Sequence, residues 1–139
     1  MRKILYLEDD PLEAEVITRL YQTVRIKFHG AVEFKTVQTW EAAVKDVYED
    51  RPDVIIADLT LPPNNSEATL KSLKSMAKTW PPILVLTGNK YDLDLRRKAF
   101  MAGASDFMLK DDARHGGCEL LVERVYGCYL RDLYATQRA

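Results

Sequence analysis

Cysteine and histidine are scarce in this 139-residue chain, with two of each. His29 and His115 stand far apart in sequence, and no ligand spacing of the zinc type is present. Cys118 and Cys128, if they share a helix, lie about 15 Å apart at a rise of ~1.5 Å per residue. That separation exceeds the ~7 Å reach of a disulfide, so both are expected as buried thiols in a reducing compartment. Long apolar runs are also missing: none approaches the roughly 20 residues of a membrane span. The opening Met1-Arg2-Lys3-Ile4-Leu5-Tyr6-Leu7 meets acid at Glu8 too early for a signal peptide. Nor is there an excess of positive charge. Twenty Lys and Arg against 21 Asp and Glu leave a net charge of −1, without the basic field that captures nucleic acid or an anionic membrane. The chain reads as one soluble, cytoplasmic domain over residues 1–139, a length within the common range of single domains.

What is present is apolar residue at 47%, enough for a core, arranged as short β-type runs alternating with longer helical patterns. This is the pattern of a parallel α/β sheet. Lys3–Leu7 is the first strand. Asp10-Pro11 then caps a helix whose inner side is marked by Leu12, Val16, Ile17, Leu20 and Val24. Ala31–Val37 alternates like an edge strand. Thr39 caps a second helix with Trp40, Ala43, Val44, Val47 and Tyr48 on one face. Val54–Ala57 and Ile83–Leu86 are apolar throughout, as strands buried on both faces are. A third helix is expected from Ser66 to Trp80 and a fourth from Asp92 to Ala102 with Gly103 as C-cap. A fifth strand covers Asp106–Leu109, and a fifth helix runs from Cys118 to about Thr136.

In an open parallel sheet, ligands bind outside the carboxyl ends of the strands. Here those ends carry Glu8-Asp9-Asp10, Asp58, Thr87 and Lys110. Clustered carboxylates attract a hard divalent cation such as magnesium, and an aspartate beside it can act as a phosphoryl acceptor. Lysine and hydroxyl donors supply the remaining charge compensation. Asp58, held at the mouth of a buried strand, is the hardest of these acids to read as a mere structural cap.

Four segments in order, ILYLEDDP, DVIIADLTLP, ILVLTG and AGASDFMLK, resemble the receiver domain of two-component response regulators, over nearly the whole chain. The resemblance implies a flavodoxin-like (βα)5 sandwich with a five-stranded parallel sheet in the order 2-1-3-4-5. It implies Asp58 as phosphoacceptor and a Mg2+ site, with Mn2+ as the alternative ion. Asp9 would bind the ion directly, Glu8 through water, together with Asp58 and the backbone carbonyl of Thr60. Thr87 and Lys110 would bind the phosphoryl group, and Thr87 with Phe107 would form the conformational switch. The phosphoryl donor would be a sensor histidine kinase or phosphotransfer protein, with no enzyme activity beyond self-catalysed transfer to and hydrolysis from Asp58.

Two departures from the family pattern stand out. PPNNSE follows the acceptor strand where a glycine is usual, and Asp111 replaces the usual proline after Lys110, so Lys110–Gly117 is expected to be a loose loop with His115 in it. With 29 residues after Lys110, no DNA-binding output domain is expected, and output is expected through an unknown downstream protein. The broad apolar belt of the last helix suggests a partner or a homodimer there. Two other readings are a receiver-like binding module that does not signal by phosphorylation and an aspartate-nucleophile phosphatase. The phosphatase reading is disfavoured because Thr60 stands where a second aspartate would be needed.

Overall fold

The structure is a computed structural model and describes residues 1–59, 71–72, 75, 80–88, 93–114 and 118–138. Five strands, β1 (Lys3–Leu7), β2 (Glu33–Val37), β3 (Val54–Asp58), β4 (Ile83–Thr87) and β5 (Asp106–Leu109), form one parallel sheet in the order β2-β1-β3-β4-β5. The described helices are α1 (Pro11–Val24), α2 (Trp40–Glu49), α3 (Leu93–Met101), α4 (Lys110–Arg114) and α5 (Glu119–Arg138), with a short 3-10 turn at Arg25–Lys27. The fold is the flavodoxin-like sandwich expected from the sequence. Most of the third expected helix lies outside the described residues.

Alternation along the buried strands sorts the core into two layers. Leu5, Leu7, Ile55, Ala57, Ile83 and Val85 face α2 and α3, while Ile4, Tyr6, Val54, Ile56, Leu84 and Leu86 face α1 and α5. β1, β3 and β4 are buried at every position, whereas β2 alternates at the sheet edge. The helix boundaries follow local chemistry. The Asp10 carboxylate accepts from the amides of Leu12 and Glu13, and Thr39 Oγ1 accepts from Ala42. Gly103, at φ 107°, ends α3, with Gly103 N donating to Phe100 O and Ala104 N to Ala99 O.

Four helical expectations need correction. The inner face of α1 is Ala14, Ile17 and Tyr21, while Leu12 is 70% exposed and Val16 is also exposed. The helix is rotated to bury Tyr21, whose hydroxyl is satisfied by His29 Nε2 at 2.9 Å. On α2 the buried face is Trp40, Ala43, Asp46 and Val47, and Tyr48 is 82% exposed. There the rotation follows Asp46, which is drawn inward by Lys3. Residues 110–114 form α4 instead of a loose loop. Asp111 and Asp112 suit the first turn of a helix, where negative charge is favourable, and Ala113 is buried beneath it. Finally, α5 begins at Glu119 and runs to Arg138. Cys118, just before it, is buried and unbridged, as is Cys128.

The last helix buries Leu121, Val122, Val125 and Cys128 and leaves Leu120, Leu133 and Tyr134 exposed. One sheet face thus covers part of its apolar belt. Among the described residues no helix is long and apolar enough to cross a membrane.

Candidate phosphoacceptor site

The sheet brings the strand-end residues to one edge. Glu8 follows β1, Asp58 ends β3, Thr87 ends β4, and Lys110 follows β5 as the first residue of α4. The register pairs Leu7 with Ala57, Asp58 with Leu86, and Thr87 with Leu109. These residues are therefore neighbours across adjoining strands, although more than a hundred residues separate the first from the last.

Lys110 ties the edge together. Its Nζ donates to Glu8 Oε1 at 2.6 Å and to Asp58 Oδ2 at 3.2 Å, with the Glu8, Asp58 and Lys110 side chains all buried or nearly so. Burial works to lower the Lys110 pKa, but the hydrogen bond to Glu8 and the charges of Asp58 and Glu8 outweigh it and hold the ammonium above its ordinary value. Burial pushes Glu8 up to about 7, with the Asp58 carboxylate adding to the rise and Lys110 opposing it.

Carboxylate oxygens of Glu8, Asp9 and Asp58 lie within 4.8 Å of one another. Asp9 is exposed, so one side of the trio opens to solvent. Glu8 is 1% exposed, and its Oε2 has no hydrogen-bond partner among the described residues. Three hard oxygen donors with one buried oxygen uncommitted fit a hard divalent cation. Thr60, expected to add a carbonyl, lies outside the described residues, as does His115.

Thr87 is fully buried, and Phe107 is buried against the α2/α3 layer with Val85, Ala99 and Ala102. The sequence reading missed Tyr6, whose hydroxyl lies 3.2 Å from Glu8 Oε1. Its position was legible: residues i and i+2 of a strand share a face, and a buried tyrosine hydroxyl needs a partner.

A 2-1-3-4-5 parallel sheet carrying an acidic trio and a lysine at its carboxyl edge defines an α/β protein with a switch-point site. The response regulator receiver domain family model matches residues 4–120, and the chain belongs to that family. Over 108 residues the chain is 29% identical to the Bacillus subtilis (strain 168) protein described as a probable C4-dicarboxylate response regulator, DctR, covering 78% of this chain and 45% of that relative's length. The response regulator receiver domain protein from Clostridium thermocellum superposes with a TM-score of 0.74 at 20% identity, over 97% of this chain and 99% of the other. The Mn2+-bound form of response regulator Rcp1 superposes with a TM-score of 0.62 at 19% identity, over 91% of each chain. Membership of the family supports a role in two-component signalling.

Proposed function

We propose that this chain is a phosphorylation-controlled response regulator of the cytoplasm, accepting a phosphoryl group on Asp58 from the phosphohistidine of a kinase or phosphotransfer protein. The observation that carries the reading is the Lys110 ammonium held between Glu8 and Asp58 beside a third carboxylate. Transfer breaks the N–P bond of the donor, whose imidazole leaves with the electron pair, and forms an O–P bond to Asp58. Asp9, Glu8 and Asp58 would hold Mg2+, which supplies charge compensation for the phosphoryl oxygens. That the similar fold of Rcp1 is described with Mn2+ supports a cation here, with Mn2+ as the alternative. Lys110 turns from the carboxylates to a phosphoryl oxygen and Thr87 donates its hydroxyl to another. Phe107 is already buried against the α2/α3 layer, so movement of Thr87 would act by repacking that layer around it, shifting a two-state equilibrium toward a surface read by a downstream protein. The uncovered apolar residues of α5, Leu120, Leu133 and Tyr134, suit such a contact with a downstream protein or a second copy.

Incubation with acetyl phosphate and MgCl2 is expected to add one phosphoryl mass in intact-protein mass spectrometry, and Asp58→Asn to abolish it. An adduct that survives this substitution overturns the assignment. Cation binding is also expected to be proton-linked. Glu8 must be ionised to serve the cation and its pKa is pushed up to about 7, so Mg2+ affinity rises with pH from about 6 to 8 and binding releases protons. Calorimetric titrations in buffers of different ionisation heat measure that release, and a pH-independent affinity would contradict it.

A further inference from the structure

We infer that Tyr6 is a positioning residue for the cation site, holding Glu8 so that one carboxylate oxygen stays available while Lys110 moves. The inference rests on the phosphoacceptor reading above and adds to it a residue from the buried core. Tyr6 lies on β1, between the edge strand β2 and the central β3, fully buried, with its ring packed edge-on to Phe34 at a centroid distance of 6.0 Å. Packing alone would be served by an aliphatic side chain. The hydroxyl makes the difference, because Glu8 stands two residues on, directly after β1, where extended backbone returns a side chain to the same side.

Two donors converge on one oxygen. Lys110 Nζ reaches Glu8 Oε1 at 2.6 Å and the Tyr6 hydroxyl reaches the same atom at 3.2 Å, while Glu8 Oε2 is buried with no hydrogen-bond partner among the described residues. The carboxylate is thereby pinned by Oε1 and presents Oε2. When Lys110 leaves for a phosphoryl oxygen, Tyr6 remains as the donor on Oε1. Its bond is long for an O–H···O contact and has room to tighten as the ammonium withdraws. Without the hydroxyl, Glu8 would be free to rotate in the same step that needs it fixed.

The test is a double-mutant cycle of Tyr6→Phe and Glu8→Ala in the full chain, with MgCl2 titrated calorimetrically at pH 8. Tyr6→Phe keeps the ring and its packing. Hydrogen bonds to charged groups lead to an expected Mg2+ dissociation constant about tenfold higher in Tyr6→Phe, and to no further weakening when the substitution is made in Glu8→Ala, which removes the acceptor. Unchanged Mg2+ affinity in Tyr6→Phe overturns the inference. So does an equal loss in the Glu8→Ala background, because the hydroxyl would then act elsewhere than on the Glu8 carboxylate. Failure of the unaltered protein to bind Mg2+ is a different result, which removes the phosphoacceptor reading and the inference with it.

Discussion

Replacing Asp46 by alanine is expected to lower the free energy of unfolding by about 3–5 kcal/mol, the range for breaking a buried ion pair by removing one partner. Lys3 is 1% exposed and Asp46 5%. Lys3 Nζ donates to Asp46 Oδ2 at 2.7 Å and to the carbonyl of Asp50 at 3.0 Å, while Lys35 pairs with the other Asp46 oxygen. Without Asp46 the ammonium stays at the start of a buried strand with its main counter-charge gone. Exchanging both partners for apolar groups, Lys3→Met with Asp46→Leu, should recover most of the loss, since well-packed hydrophobic replacements of buried pairs are often neutral or better. Urea unfolding of the single and double variants measures both effects. A single-variant loss under about 1 kcal/mol would show that the pair is not desolvated as its burial indicates.

The acid limb gives an independent check. Burial works to raise the pKa of Asp46, but the hydrogen bonds from Lys3 and Lys35 outweigh it and hold the carboxyl below its ordinary range. A depressed carboxylate stabilises the fold above its unfolded pKa and ceases to do so as pH falls through the folded value. The difference between unaltered protein and Asp46→Ala should therefore be full near neutrality and shrink in strong acid.

This pair also marks how far the sequence could be read. Strand-end acids and the lysine were legible because a parallel sheet delivers all its strand termini to one edge, so Glu8, Asp58, Thr87 and Lys110 needed only correct strand boundaries. Strand order came from family resemblance, since periodicity along single strands does not encode which neighbour each one takes. Asp46 was hidden by treating the buried face of α2 as purely apolar. Yet it lies three residues after Ala43 and one before Val47, on the buried arc. A lysine in a strand buried at all five positions requires such a counter-charge. The same blindness to polar partners displaced the inner face of α1, where Tyr21 is buried with its hydroxyl on His29 while Leu12 faces solvent. After Lys110, the absence of proline was read as looseness, although the aspartates that replace it favour a helical first turn.

Lys110→Met is expected to have opposite consequences for stability and for cation binding. At pH 8 without metal, the substitution takes the 2.6 Å partner from Glu8 and the shared cation from Asp58, leaving two buried carboxyl groups near each other with Glu8 driven toward its protonated form. A loss of about 3 kcal/mol follows. In saturating MgCl2 most of that loss should disappear, because a cation that binds only the folded state adds stability by mass action. The variant should also bind Mg2+ about tenfold or more tightly, since the resident ammonium no longer opposes a second positive charge a few ångströms away. Urea unfolding in EDTA and in MgCl2, with a calorimetric Mg2+ titration, tests both halves. Equal destabilisation under the two conditions would mean that Lys110 and the cation do not share the same carboxylates. The predicted asymmetry treats the lysine as the charge that keeps the acidic edge folded before a divalent cation arrives. On that account its close bond to Glu8 describes the resting site, and under the proposed phosphoacceptor reading the longer one to Asp58 would be the contact that yields first.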